Sequence, residues 1–501
     1  MQKYLSKELL LSSITSKHNY CTMNYVLWVL FSIFLTIQSS VSINFSRPKG
    51  FKFGVATAAY QIEGGWNADG KGENIWDRFT HTSKKIKDGT NGDVACDSYH
   101  LWKKDVELLE YLGVDYYRFS LSWTRILPNG FHNKINKLGI AYYNNLIDLL
   151  ISKGIEPMVT LYHWDLPQPI QDLGGWTNLG TADYFAEYAR LAFALFGNRV
   201  KTWITINEPA SICVAPYEYN DGAPGIKSPG IGSYLCGKTV LIAHAKAYRI
   251  YQEEFAHSQQ GKVGITIDSD WAEPRYGNLD DVDAADREMQ MSFGWFAHPI
   301  FSAIGDYPLV MSNRINHISS MQNFTKSRLP AFSNDEKKLL IGSADFLGLN
   351  HYHTWMVSNK QYPLDQVSFD ADKSIYKGTN SSWGDKQILP WGLTKLLTWI
   401  KREYNNPLVY ITENGIGDTT GNISDTKRIQ FLQEYINATV YAATVEGCNV
   451  AKYTVWSLMD NMEWTSGYTI KFGLYQVDFK SPSRTRIPKA SAAFFKGLIM
   501  K

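Results

Sequence analysis

The chain has few cysteines, almost no excess charge and no apolar run long enough to span a bilayer, and each shortage removes a class of function. Five cysteines in 501 residues, Cys21, Cys96, Cys213, Cys236 and Cys448, show no metal-ligand spacing, so no metal site is expected. With 50 basic against 48 acidic side chains the formal charge is +2, and the basic residues are scattered. That excludes the electrostatic footprint of a nucleic-acid binder and a polybasic membrane patch. No Gly-x-Gly-x-x-Gly turn follows the first strand-like run, so a dinucleotide is not expected and no other cofactor is indicated.

The longest apolar stretch, Tyr25 to Ile37, is too short for a comfortable membrane span and is followed by Ser40, Val41 and Ser42. It reads as a secretory leader over residues 1–42, cleaved near Ser42. Its n-region is either extended, with Lys3, Lys7 and Lys17, or begins at Met23. No charged stop-transfer cluster follows, which disfavours an uncleaved anchor and stable membrane insertion. Asn-x-Ser/Thr sites at Asn44, Asn323, Asn380, Asn422 and Asn437 are glycosylation candidates that accord with secretion. Cys21 leaves with the leader, so at most two disulfides form. The tail Leu498 to Lys501 is no retention signal, and export is the default; lysosome, gut lumen and a homo-oligomer stay open.

What the sequence has in quantity is apolar strand-like runs. Eight occur in order: Phe51 to Glu63, Val114 to Trp123, Glu156 to Asp165, Thr202 to Pro209, Lys262 to Trp271, Asp345 to His353, Leu408 to Gly415 and Ala451 to Asn461. Continuous apolar runs suit strands buried on both faces by helices. Helical patterns lie between them. Asp97 is a plausible N-cap for a helix carrying Tyr99, Trp102, Val106, Leu109 and Leu112, and another helix runs from Asp425 through Ile429, Leu432, Ile436 and Val440. The expectation is an α/β protein, a single closed (β/α)8 barrel over 43–501 with long loops at its C-terminal face.

In such a barrel chemistry gathers at the C-terminal strand ends, where polar residues interrupt the apolar runs. Strand one ends in Gln61 and Glu63, strand three in His163, Trp164 and Asp165, strand four in Asn207 and Glu208. Strand six ends in Asn350 and Tyr352, strand seven in Glu413, and strand eight leads through Trp456 to Glu463 and Trp464. Pro209 biases Glu208 toward extended geometry, and Asn414-Gly415 supplies a turn after Glu413. A single Glu at a strand end is ordinarily a solvated edge residue; two in matched settings form a candidate catalytic pair. The polar segment from Gln366 to Pro390 reads as a loop on the same face, and Trp383 within it as a substrate wall or a packing residue.

Amides, imidazole and indole around two carboxylates are what a sugar requires, hydroxyls meeting the polar groups and ring C–H faces the indoles. The strings ATAAYQIEGG, YRFSLSW, YHWDLP, TINEP, ITENG and WSLMDNMEW resemble glycoside hydrolase family one, the β-glucosidase family, from about Phe51 to the C-terminus. Through QDLGGWTN and SPGIGSYLCGKTVLIAHAKAY the chain is similar to insect β-glucosidases and myrosinases.

The resemblance implies a retaining β-glycosidase acting on a small-molecule β-glycoside, with Glu413 as nucleophile and Glu208 as acid and base, their carboxyl groups ~5–5.5 Å apart. It implies that repulsion from Glu413 keeps Glu208 protonated until the glycosyl ester forms. It makes Gln61, His163, Asn207, Glu463 and Trp464 hydroxyl binders, Trp456 a platform and Phe472 a wall of the same subsite. Arg118, Asn350 and Tyr352 become supports of the carboxylates, and Trp383 an aglycone platform. His351 and Met462 depart from the family pattern. A carboxylate at Glu463 argues against phosphorylated sugars, leaving glucose, fucose and galactose. The alternatives are a myrosinase acting on thioglucosides and, in another class, an inactive sugar-binding relative; both acids being present weighs against the latter.

Overall fold

Eight strands close into a parallel barrel in chain order: β1 Lys52–Ala56, β2 Tyr116–Ser120, β3 Glu156–Tyr162, β4 Thr202–Asn207, β5 Lys262–Asp268, β6 Phe346–Asn350, β7 Val409–Asn414 and β8 Val450–Trp456. The computed structural model describes residues 47–379 and 388–500, so the leader, Asn44, Asn380 and Trp383 lie outside the described residues. The eight predicted runs are all present, and each strand is shorter than its run. The first is the clearest case: β1 stops at Ala56, and Gln61 stands on a helical turn, Ala59–Ile62.

The lower half of the barrel is filled by inward side chains near the strand starts: Tyr116, Met158, Ile204, Phe346 and Tyr410 form one buried cluster. Lys452 of β8 sits between two of these rings, its Nζ 4.9 Å from the centre of Tyr116 and 4.8 Å from that of Tyr410. It donates to Glu156 Oε1 at 2.8 Å. The upper half is polar, and the ladders shift register there, between Ile204 and Asn207 on β4 and between Ile411 and Glu413 on β7. Such irregularities bend a strand end and re-aim its side chains.

One helix start differs from expectation. Asp97 precedes helix Ser98–Leu112 in the left-handed region, φ +54°, and meets the His100 ring instead of capping the backbone. Asp425 precedes helix Thr426–Thr444 without capping it by its side chain, which binds Arg428 and Ser491. The segment read as a loop from Gln366 contains a helical turn, Phe369–Lys373, and a strand, Ile375–Gly378. That strand pairs antiparallel with Thr354–Asn359, itself parallel to Trp271–Pro274, in a small sheet outside the barrel. One disulfide, Cys213–Cys236, ties helix Pro209–Glu218 to helix Gly232–Ile250; Cys96 and Cys448 are buried thiols. Among the sequons, Asn323 and Asn422 are exposed and Asn437 is half-buried. Among the described residues no helix is long and apolar enough to cross a membrane.

Candidate active site

A cavity of about 480 Å³ opens at the C-terminal ends of the strands, and both Glu208 and Glu413 line it. Glu413, the penultimate residue of β7, is 3% exposed. Arg118 Nη1 from β2 donates to its Oε1 at 2.6 Å, and Tyr352 Oη donates to its Oε2 at 2.6 Å. Each carboxylate oxygen therefore has a strong directed donor, which fixes the group's orientation. Arg118 is held in turn by the carbonyl of Thr412 at 2.8 Å and by Asn207 Oδ1 at 2.5 Å.

Glu208 is placed differently. It precedes helix Pro209–Glu218 with φ +52° and ψ 70°, left-handed and not extended as Pro209 alone suggests. Proline excludes the right-handed helical well for its predecessor but does not choose among the rest. Trp164 and Trp464, which also line the cavity, have φ +78° and +51°. Non-glycine residues in this region cost about 1–3 kcal/mol each and persist where surrounding contacts over-determine them. Asn350 Nδ2 donates to Glu208 Oε1 at 2.7 Å and to Asn207 Oδ1 at 3.2 Å. One hydrogen-bond chain thus runs from Glu208 through Asn350, Asn207 and Arg118 to Glu413.

Burial pushes the Glu208 carboxyl well above the usual range, with Asp268 and then Glu413 adding repulsion, while hydrogen bonds from Asn350 and Ser211 oppose the shift. The sequence reading gave Glu413 as the cause; desolvation is the larger one. Asp268, the last residue of β5, lines the same cavity and was not anticipated. Ser211 Oγ lies 3.4 Å from its Oδ2. Burial pushes Asp268 itself up to about 6. The available signal was its position, a polar residue ending an apolar strand beside β4.

Four of the five expected hydroxyl binders, all but Gln61, line the cavity with Glu413. His163, Asn207, Trp456, Glu463, Trp464 and Phe472 all line the cavity. Asn207 Nδ2 lies 3.0 Å from His163 Nε2, so the ring nitrogen accepts and Nδ1 carries the proton; that buried Nδ1 has no partner. Burial first, then Arg118, lowers the imidazole's pKa well below its usual value, so the ring is neutral. Gln61 donates to Asn461 Oδ1 and the Met462 carbonyl, both at 2.9 Å, and to Glu463 Oε2 at 3.3 Å, leaving its own Oε1 buried and unpaired. His163 stacks between Trp456 and Trp464, at 5.8 and 5.9 Å. Phe472 meets Tyr352 edge-on at 6.0 Å.

Burial, with Glu413 nearby, pushes Glu463 up to about 8. A carboxyl held that high ionises less readily, which weakens the charge argument against phosphorylated sugars. Two other residues, Glu63 and Asp165, stand elsewhere than their strand-end position implied. Glu63 pairs with Arg125 at 2.8 Å and Tyr143 at 2.7 Å, away from the cavity. Asp165 is buried without a hydrogen-bond partner, and His351 is buried with Nδ1 on the Ser269 carbonyl at 2.9 Å. Among the described residues no group of three or more His, Cys, Asp or Glu could hold a metal ion.

The arrangement offers an oriented carboxylate, a carboxyl whose ionisation is opposed, a wall of indoles and unpaired polar atoms on Gln61 and His163, which is equipment for acid-assisted displacement at a polyhydroxylated substrate. The sequence pattern described as Glycosyl hydrolase family 1 matches residues 44–501. Myrosinase 1 of Brevicoryne brassicae is 49% identical over 465 residues, 91% of this chain and 99% of that protein. Lactase/phlorizin hydrolase of Homo sapiens is 46% identical over 460 residues, 90% of this chain and 24% of that longer protein. A rice beta-glucosidase structure superposes with a TM-score of 0.84 at 40% identity, covering 90% of this chain and 98% of that one. The chain belongs to glycosyl hydrolase family 1.

Proposed function

We propose that this protein is a retaining β-glycosidase that releases terminal, non-reducing β-D-glucosyl residues, or the related fucosyl and galactosyl residues, from small glycosides. The observation that carries the reading is the opposed setting of two carboxyl groups on one cavity: Glu413 gripped by Arg118 and Tyr352, Glu208 buried and raised. Groups driven apart in this way take the two roles of a double displacement. Glu413 attacks the anomeric carbon while Glu208 gives its proton to the leaving oxygen. The resulting ester carries no charge at Glu413, so that repulsion on Glu208 falls and Glu208 accepts a proton from the attacking water. Gln61 Oε1 and His163 Nδ1, unpaired in the free site, meet sugar hydroxyls, Trp456 and Trp464 flank the ring, and Trp383 serves the aglycone.

Glu413→Gly tests this. The variant should fold, lose hydrolysis of aryl β-glucosides, and regain turnover of activated ones with azide, giving the α-glucosyl azide because a single displacement inverts the centre. A β-azide product, or hydrolysis near the parent's, would overturn the assignment. The likeness to Myrosinase 1 supports a second reading, thioglucoside cleavage, in which the sulfur leaving group needs little protonation. Parallel turnover of an aryl β-glucoside and a glucosinolate by the parent separates the two.

A further inference from the structure

Asp268 ends β5 and Asp270 follows two residues on, and both line the cavity with Glu208. Ser211 Oγ lies 3.4 Å from Asp268 Oδ2 and also bonds Glu208, so Asp268 stands beside the group that protonates the leaving oxygen. It therefore faces the first atoms of the aglycone. Its other oxygen, Oδ1, is buried without a hydrogen-bond partner, although an ionised carboxylate offers about four acceptor sites and buried polar groups ordinarily find partners. Above about pH 6 this group is charged. No cation of the protein answers it. The two lysines on the cavity, Lys373 and Lys377, both close on Glu288, at 3.0 and 2.6 Å. His353 stands 3.8 Å from Asp270, whose carboxylate is otherwise held by neutral donors, Trp355 Nε1 at 2.7 Å and the His353 amide at 3.2 Å. Among the described residues the charge least compensated on this wall is that of Asp268.

We infer that the cavity selects β-glycosides whose aglycone carries a protonated amine, the ammonium donating to Asp268 Oδ1 close to the glycosidic oxygen. A hydroxyl could reach the same oxygen, but only a cation also offsets a negative charge held out of water with Asp270 nearby. An anionic aglycone, such as the sulfate-bearing one of a glucosinolate, meets carboxylates and no unpaired lysine, and like charges in contact reject a partner. The inference rests on the glycosidase reading of the cavity and names the class of aglycone for it.

The test compares three benzyl β-D-glucosides, bearing a 3-aminomethyl, 3-hydroxymethyl or 3-carboxy group, on the full-length protein at pH 7. The first two are matched in size and nearly so in leaving-group strength, so their ratio isolates charge. The kcat/KM of the aminomethyl substrate should exceed that of the hydroxymethyl one by about tenfold, the difference between a charged and a neutral hydrogen bond. The carboxy substrate should rank last. Asp268→Asn, which changes the turnover of all three through Glu208, should bring the first ratio to within about twofold. Asp270→Asn removes only the neighbouring charge and should lower the ratio in part. A ratio near one in the parent, or one that every folded variant leaves unchanged, overturns the inference. Failure of the glucosidase reading shows separately, as no turnover of any of the three. Thermal shifts of the parent with the same compounds then decide: a larger rise in Tm with the aminomethyl than with the hydroxymethyl compound supports the inference, and equal rises refute it.

Discussion

Asp268 shares the Ser211 hydroxyl with Glu208 and stands in the same cavity, so the proton on Glu208 is governed by a neighbour as well as by burial. The sign is definite. A negative charge at Asp268 opposes ionisation of Glu208, so Asp268→Asn lowers the Glu208 pKa. The alkaline limb of kcat/KM should then move to lower pH, by about one unit for the loss of a close like charge. Asp268 is itself raised to about 6 and carries its charge above that pH, so the shift should be read there. Asp268→Glu should restore the limb, whereas a merely structural role predicts lower activity with an unmoved pH profile. At this scale Glu208 and Glu413 were legible because each follows an apolar run and precedes a turn signal. Asp268 was not, since its influence depends on β4 and β5 being neighbours, and the left-handed backbone of Glu208 was hidden because Pro209 only forbids one alternative.

The eight strands could be read from continuous apolar runs, and their ends were overestimated for a physical reason: the residues beyond them are also buried, in turns that line the cavity. Segment 369–378 shows the opposite error. Its polar composition reads as a solvated loop, yet its polar groups are spent on partners distant in sequence. Glu288 of helix Leu279–Phe301 pairs with Lys373 at 3.0 Å and Lys377 at 2.6 Å, Arg314 donates to the Asp372 carbonyl at 3.0 Å, and Arg328 pairs with the Asp372 carboxylate. Lys373 and Glu288 are both nearly inaccessible, so removing one strands the other. Glu288→Gln should loosen the segment by about 3 kcal/mol, the lower end for a broken buried pair. Because Phe369, Lys373 and Lys377 line the cavity, KM for bulky aryl glucosides should rise several-fold while methyl glucoside kinetics stay nearly unchanged. Faster proteolytic nicking within 369–378 should accompany it. Equal KM changes for both substrates would mean that the segment does not shape the outer site.

The barrel as a whole is closed at its lower end by charge, in a place where hydrophobic filling is the norm. Glu156 begins β3, yet its carboxylate meets Lys452 of β8 at 2.8 Å, Lys52 of β1 at 2.6 Å and Thr202 of β4 at 2.7 Å, joining strands that are not all neighbours. The pair is asymmetric. Two ammonium groups pull Glu156 down to about 2 against its own burial, whereas burial pulls Lys452 below the usual lysine range despite its partner. Since Glu156 lies below its unfolded value, its contribution is fully present above about pH 4.5 and is lost as pH falls through about 2. Glu156→Gln leaves Lys452 buried between Tyr116 and Tyr410 without a counter-charge, which should cost about 3–5 kcal/mol at neutral pH. The double variant Glu156→Leu with Lys452→Met should be the more stable of the two, because neither charge then has to leave water. Urea midpoints at pH 7 and pH 3 decide the matter. The parent should lose stability between them by more than Glu156→Gln does, and equal losses would show that the cross-barrel pair contributes nothing to acid sensitivity.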